Sequence, residues 1–218
     1  MTTLIAVAHG TRSANGRRQL QELAASVARR RRGLDVRLCY VDVQEPKVAD
    51  VVPTVTDAVV VPLLLSCGYH VRVDIAEAVA GTGIPVTAPL GPDPVLLASL
   101  LRNLPDADAI VLAAAGSSDP GWRADVAGVA AQLPGGARVG YVSGTGPRVP
   151  DVVAQLRAEG AQRVAIATYL LADGLFYRSL ATAGADSVTP PLCRDVAVAD
   201  LVLGRFDSAL LTTVGSRL

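Results

Sequence analysis

The sequence predicts an α/β protein made of two tandem domains, each a parallel β-sheet in a three-layer arrangement with helices on both faces. Three observations support this prediction. Apolar runs of strand length alternate with segments of helical spacing along the chain. The same order of strands and helices then recurs further along the chain. Half of the residues are hydrophobic and few are aromatic, which is typical of sheets rich in Val, Leu and Ala.

The first strand and helix are clearly marked. Leu4 to Ala8 is an uninterrupted apolar run, as a central parallel strand buried on both faces requires. The loop from Gly10 to Asn15 follows, and a helix is expected from about Gly16 to Arg32. Ser13 and Asn15 both offer side-chain oxygens that could cap this helix.

The rest of the first half continues the alternation of strands and helices. Strands are expected where apolar runs are bounded by turn residues, and helices where the spacing is helical. In order, these segments are a strand over Val36–Val43, a short helix over Val48–Thr56 broken by Pro53, a strand over Ala58–Ser66, a helix over Val73–Val79, a strand over Val86–Leu90 and a helix over Pro94–Asn103.

The second half repeats the first. Gly116 stands 106 residues after Gly10, at the end of a matching apolar run. Such recurrence indicates a duplicated α/β unit, with domains over residues 1–104 and 105–218 related by a pseudo-twofold. The matching segments are Ala109–Gly116 with the first strand, Gly140–Asp151 with Cys39–Asp50, and Thr168–Arg178 with Pro62–Arg72.

The charge balance narrows the range of partners. The chain has 20 basic and 20 acidic residues, so there is no electrostatic case for nucleic acid or a membrane surface. A small molecule or another protein is the expected partner. The chain is long enough to bury a core without disulfides or a structural metal.

The cysteines and the N-terminus indicate a cytoplasmic protein. Cys39, Cys67 and Cys193 lie far apart without CxxC spacing, so we expect buried, unreactive thiols. The N-terminus has no charged segment before its apolar run, and that run reaches His9 too soon for a signal peptide or a membrane span.

The chain has only two histidines, and each follows a predicted strand. His9 follows the first strand and His70 follows the third, so both should lie at the carboxyl edge of one sheet, where open α/β sheets bind ligands. In the aligned second half His9 becomes Ala115 and His70 becomes Phe176, while the neighbouring glycines are kept. Two residues lost together behave as one site.

Two imidazoles on one rim suit a divalent first-row metal such as Fe, Co, Ni or Zn. A closed structural site would need four ligands, and the cysteines are badly spaced for that. Glu45, at the end of the second strand, is expected on the same rim. It is either a carboxylate ligand or proton acceptor, or a solvated turn residue before Pro46.

These residues carry a family resemblance. His9-Gly10-Thr11-Arg12, followed by a strand that runs into Gly68, His70 and Asp74-Ile75, resembles the class II chelatases of tetrapyrrole metabolism, the sirohydrochlorin chelatase family. The pattern there is HGSR and then GxHxxxDI, from which Thr11 is a mild departure. The duplication extends the resemblance over nearly the whole chain, in the long form whose C-terminal half has lost its histidines.

The resemblance implies an enzyme that inserts Co²⁺ or Fe²⁺, with Ni²⁺ as a further candidate, into sirohydrochlorin for siroheme or cobalamin biosynthesis. The divalent metal is then a substrate, and no permanently bound cofactor is expected. His9 would be the proton acceptor and a metal ligand, and His70 the second ligand. The residues implied to line the macrocycle are Glu45 with Leu65, Ser66, Cys67, Gly68, Tyr69 and His70.

Sirohydrochlorin carries many carboxylates, so guanidinium donors are expected in its site. Arg12 and Arg72 flank the two histidines in sequence and are the candidates. Because 19 of the 20 basic residues are arginine, ordinary surface roles for both stay open.

Two other functions compete with this interpretation. The first is a non-catalytic carrier of a tetrapyrrole or metal, which would bind sirohydrochlorin without metallating it. A nucleotide-binding domain is disfavoured, because neither GxGxxG nor GxxxxGK[ST] opens a helix. The segment Gly116–Gly121 could cradle an anion, but Ser118 or Asp119 is expected to cap a helix there. The sequence leaves open whether the chain is a monomer or a homodimer.

Overall fold

The computed structural model describes residues 2–66 and 69–215, apart from the side chains of residues 69–72 and 213–215. Helices and strands alternate through most of this range. In chain order they are β1 (Thr3–Ala8), α1 (Ala14–Arg30), β2 (Val36–Tyr40), α2 (Val48–Val51), β3 (Ala58–Pro62), α3 (Tyr69–Val79), α4 (Pro94–Asn103), β4 (Ala109–Ala114), α5 (Pro120–Ala131), β5 (Arg138–Tyr141), α6 (Val149–Ala158), β6 (Val164–Tyr169), α7 (Leu175–Ser179), β7 (Ser187–Val188) and α8 (Ala197–Gly215).

The first sheet consists of three parallel strands in the order β2-β1-β3. β1 is buried along its whole length, as a central strand covered on both faces must be. The register pairs Val7 with Cys39 on one side and with Pro62 on the other. All three strands therefore end at one edge of the sheet, and His9 is the first residue beyond the central strand.

The second sheet has the order β5-β4-β6-β7, and its strands are also parallel. Its central strands β4 and β6 are almost entirely buried. The prediction of two parallel-sheet α/β domains is confirmed.

Helices cover both faces of the first sheet. On one face Ile5 and Val7 pack in one cluster with Val48 and Val52, which follow β2, and with Ile75 of α3. Because side chains alternate along a strand, the neighbours of Ile5 and Val7 point to the opposite face. There α1 and α8 contact each other, and they also contact β2 and β3 respectively.

The chain forms two compact units that are not contiguous halves. Residues up to Gly91 form the first unit together with residues from Val196 onward, and Pro92–Asp195 form the second. This division differs from the one expected at residue 104. α4 contacts β6 in the second unit, and α8 packs against α1 in the first, so the helix that ends each repeat belongs to the unit built mainly from the other repeat.

Both units repeat the same backbone pattern after their first strand. The Val41 N–H donates to the Ala8 carbonyl at 2.9 Å, and in the second unit the Val142 N–H donates to the Ala114 carbonyl at 2.9 Å. Gly10 and Gly116 both have positive φ, at +101° and +105°. The equivalent residues of the two units are separated along the chain by the same offsets as the matching segments of the sequence.

Several elements differ in extent from the expectation. The strand expected over 36–43 ends at Tyr40, where the chain turns and the Tyr40 N–H donates to the Pro46 carbonyl. The strand expected over 58–66 ends at Pro62. The strand expected over 86–90 is reduced to one bridge between Val60 and Val86, because Pro85 and Pro89 lack the N–H that a ladder needs.

α3 is longer than expected and begins at Tyr69. The backbone of His70 therefore lies in the first turn of a helix, where a loop was expected. No helix within the described residues combines the length and the apolarity that crossing a lipid bilayer demands.

Candidate functional site

His9 lies at the carboxyl edge of the first sheet with its side chain exposed. It follows β1 directly, and its backbone carbonyl accepts a hydrogen bond from the Asp42 N–H at 3.0 Å. This bond directly follows the one from the Val41 N–H to the Ala8 carbonyl and lies past the end of both strands. This hydrogen bond holds the loop after β2 next to His9.

The next residue, Gly10, permits this approach. Its φ is +101°, and a β-carbon there would lie 2.3 Å from the Asp42 carbonyl oxygen. Contacts between real β-carbons and other atoms are essentially never that short, so any side chain would push the two loops apart. Gly116 is in the same situation in the second unit, where a β-carbon would lie 2.0 Å from the Ser143 carbonyl oxygen.

Asp42 brings a carboxylate to this edge. The Val43 N–H donates to its Oδ1 at 2.7 Å, and the Lys47 Nζ lies 3.6 Å from the same oxygen. The Val43 hydrogen bond is the main cause that lowers the pKa of Asp42, and the positive charges of Lys47 and His9 lower it further. Asp42 is therefore held as an anion within electrostatic range of His9.

The sequence analysis singled out Glu45 as the carboxylate of this edge and did not single out Asp42. Glu45 is exposed, and within the described part of the chain it has no hydrogen-bonding partner. A signal for Asp42 was present in the repeat alignment, since its counterpart is Ser143. The carboxylate is lost in the same half of the chain that lost both histidines.

The loops after β1 and β2 are joined by a side chain as well as by backbone. The Thr11 N–H donates to Gln44 Oε1 at 2.8 Å, and Gln44 also hydrogen-bonds the Tyr40 phenol. Burial raises the pKa of Tyr40 in spite of that hydrogen bond, so the phenol stays protonated. Gln44 thus fixes the segment that carries Thr11 and Arg12. The Arg12 side chain is exposed on this segment.

The chain after β3 leads toward the second histidine. The Leu63 N–H donates to the Val7 carbonyl at 2.7 Å, so this segment starts beside the end of β1. Leu65 and Ser66 are half-buried. Cys67 and Gly68 lie outside the described residues, as do the side chains of Tyr69, His70 and Arg72.

The predicted pairing of two imidazoles can therefore be followed only through the backbone. His70 is the second residue of α3, which follows β3, and β3 is the hydrogen-bonded neighbour of the strand that ends at His9. Both histidines stand in segments that follow adjacent parallel strands. The separation of their rings remains a prediction.

The same edge of the second unit has different chemistry. The counterparts of His9, Asp42 and His70 are Ala115, Ser143 and Phe176, and the Phe176 side chain is 39% exposed. There the loops are joined by Arg123, which donates to the Ser117 carbonyl at 2.7 Å and to the Thr145 carbonyl at 2.6 Å. A guanidinium thus has the structural role that the Gln44 amide has in the first unit.

Among the described side chains, no three His, Cys, Asp or Glu residues lie close enough to hold a metal ion. The first unit provides the pair His9 and Asp42, one nitrogen and one oxygen donor. Such donors suit first-row divalent metals. Cys39, by contrast, is buried, and burial raises the pKa of its thiol to about 12, which agrees with the expected unreactive thiol.

Comparison with known families gives a match to both repeats. A family model described as CbiX matches residues 3–107 and again residues 109–209. The two matched ranges correspond to the repeats found in the sequence. No curated protein gives a significant match to the chain.

Solved structures share the fold over nearly the whole chain. SirB from Bacillus subtilis with Fe³⁺ has a TM-score of 0.80 at 21% identity, covering 99% of this chain and 98% of that one. The sirohydrochlorin chelatase SirB from Bacillus subtilis subspecies spizizenii in complex with cobalt has a TM-score of 0.72 at 22% identity, covering 95% and 94%. CbiX, the terminal enzyme for biosynthesis of siroheme in denitrifying bacteria, has a TM-score of 0.68 at 20% identity, covering 96% and 99%.

Proposed function

Because the chain belongs to the CbiX family, we propose that it is a chelatase that inserts a divalent metal into sirohydrochlorin. The observation that carries the proposal is the pair His9 and Asp42. An imidazole and a carboxylate held as an anion stand together at the edge of a parallel sheet, and the neighbouring strand leads to the other histidine of the chain.

Metal insertion requires two kinds of group at one place. Two pyrrole N–H protons must leave the ring as two metal–nitrogen bonds form, and the incoming M²⁺ must lose part of its water shell. His9 accepts one pyrrole proton, the other is released to water at this exposed edge, and His70 provides a second imidazole ligand for the metal. Asp42 neutralises part of the charge of the cation, because its carboxylate stays ionised beside His9.

The remaining residues of the proposal hold the macrocycle. Arg12, exposed on the loop after β1, provides a guanidinium for the substrate carboxylates, and Arg72 is the second candidate. Glu45 and the segment from Leu65 to His70 line the ring. The half-burial of Leu65 and Ser66 is compatible with such a lining.

The proposed metals are Co²⁺ and Fe²⁺. Two of the related structures named above contain Fe³⁺ and cobalt, and both metals accept imidazole and carboxylate ligands. Ni²⁺ accepts the same ligands and is the next candidate.

The test is an absorbance assay in which metal-free sirohydrochlorin is incubated with the protein and each divalent metal in turn. We expect the spectrum of the metallated ring to form faster with the protein than without it, for Co²⁺ or Fe²⁺. A rate equal to the protein-free rate with every metal would contradict the proposal. Tight binding of sirohydrochlorin without metallation would identify a carrier.

A further inference from the structure

Val43 has a strained backbone beside the candidate site. Of the non-glycine residues that the structure describes, it alone has a positive φ, +66°. Its turn is closed by a hydrogen bond from the Gln44 N–H to the Asp42 carbonyl at 2.7 Å. A three-residue turn with positive φ at its centre is the rare and strained form. The strain is greatest for a β-branched residue such as valine.

The other repeat shows what this backbone position requires. Gly144 occupies the equivalent place in the second unit and has φ +73°. The turn itself is therefore satisfied by glycine, which adopts positive φ without a steric penalty. Glycine at position 43 would also keep the N–H that donates to the Asp42 carboxylate. What needs an explanation is the valine side chain.

Among the residues that the structure describes, packing in the core does not explain it. The Val43 side chain is 40% exposed, whereas Val41, two residues earlier, packs against the core of the first unit. The Val43 β-carbon is next to Gly10, since a β-carbon added there would lie 3.2 Å from it. An exposed isopropyl group thus lies beside the residue that follows His9 and directly after Asp42.

We propose that Val43 is a substrate-contacting residue whose isopropyl group packs against the apolar face of the tetrapyrrole ring. This inference rests on the proposed function. Backbone strain of this kind clusters at active sites and at residues that clamp ligands. The ring supplies a flat apolar surface for the exposed part of the Val43 side chain, and it would contact Val43 while its pyrrole nitrogens are near His9.

The test measures binding of metal-free sirohydrochlorin by absorbance titration, with Val43→Gly and Val43→Asn compared with wild type. Burying a valine side chain only in part corresponds to about fivefold to tenfold in affinity, and we expect Val43→Gly to bind the ring that much more weakly. Asn adopts positive φ more readily than Val, so Val43→Asn separates loss of the apolar group from backbone strain. We expect it to bind weakly as well.

Two further measurements distinguish contact with the ring from damage to the fold. Binding of Co²⁺ to the protein without tetrapyrrole should be unchanged in Val43→Gly, and its thermal midpoint should not fall. The matched control is Gly144→Val, which places the same strain in the second unit where a β-carbon has only ordinary contacts. It should lower the thermal midpoint and leave sirohydrochlorin binding unchanged.

The outcomes separate this inference from the proposed function. Wild-type affinity for sirohydrochlorin in Val43→Gly would overturn the role of Val43 and leave the chelatase proposal standing. If wild type binds the ring without metallating it while Val43→Gly binds more weakly, the chelatase proposal fails and the Val43 contact is retained. Absence of ring binding by wild type would overturn both.

Discussion

The carbonyl oxygen of Asp42 lies 2.3 Å from the position that a β-carbon on residue 10 would occupy. The backbone at Asp42 leaves no room for a side chain at residue 10. The loop that carries His9 can therefore contact the loop that carries the Asp42 carboxylate only because residue 10 is glycine.

Gly10→Ala should separate the two loops. A methyl group there clashes with backbone and forces a residue with a side chain to adopt φ +101°, so we expect the free energy of unfolding to fall by about 3 kcal/mol or more. The control is Gly81→Ala, which has φ +73° but nothing within 4 Å of the added carbon, and which should cost only about 1 kcal/mol. Urea denaturation measures both. Equal losses would show that the steric clash has no effect.

His9→Ala should abolish metal insertion without unfolding the protein. The His9 side chain is exposed, so stability should change by less than about 0.5 kcal/mol. His70→Ala should have the same effect on activity. The control is Glu22→Ala, which removes another exposed polar side chain of the first unit, one that pairs with Arg18. Wild-type turnover in either histidine variant would refute the assigned roles.

Asp42→Asn should weaken binding of Co²⁺ by about tenfold to 100-fold, because an amide of the same shape carries no charge.

The pH dependence of the stability of Asp42→Asn gives an independent measurement. The pKa of Asp42 is lowered in the folded protein, so its carboxylate contributes stability above its ordinary pKa of about 3.9. That contribution is lost as the pH falls through the lowered folded-state pKa. The difference in thermal midpoint between wild type and Asp42→Asn should therefore be present at pH 6 and close under acid conditions.

Asp207→Asn is the matched control for Asp42. Asp207 also has a lowered pKa in the first unit, mainly because Arg31 hydrogen-bonds it. Its substitution should show the same closing of the midpoint difference in acid and leave Co²⁺ binding unchanged. Loss of metal binding in both variants would mean that the effect of Asp42 is general electrostatics.

Gln44→Ala should loosen the loop that carries Arg12. It leaves the half-buried Thr11 N–H without its acceptor and should cost about 1 kcal/mol of stability together with a loss of activity. Gln44→Glu keeps an oxygen acceptor for that N–H and should recover part of both. Gln132→Ala removes an amide that donates only to a helix carbonyl, and activity should be unaffected. Equal activity of Gln44→Ala and wild type would rule out a role for this link.

Local sequence signals predicted much of the scaffold. The central strands were predicted from short apolar runs, because a strand that is buried on both faces contains few polar residues. Ser13 and Asp119 cap α1 and α5 as expected from their side-chain oxygens, whereas Asn15 lies inside α1. The family resemblance rested on His9, His70 and their neighbours, and the match of both repeats to CbiX confirms it.

The parts that were missed depend on contacts between segments distant in sequence. Asp42 is linked to His9 by a backbone hydrogen bond that lies one residue past β1 and two residues past β2, which the sequence of either strand alone does not show. The sheet that α4 and α8 each cover is set by contacts with distant segments, which the sequence of either helix alone does not show. The strained φ of Val43 was also invisible, since nothing in valine itself favours it.

The placement of α8 has a consequence for biosynthesis. The second unit is one continuous stretch of chain, so no residue made after Asp195 belongs to it. The unit that carries His9 needs Val198, Val202 and Phe206, which are buried and which are synthesised only after every residue of the second unit. His9 is therefore among the first residues made, while the core of its own unit is completed by some of the last.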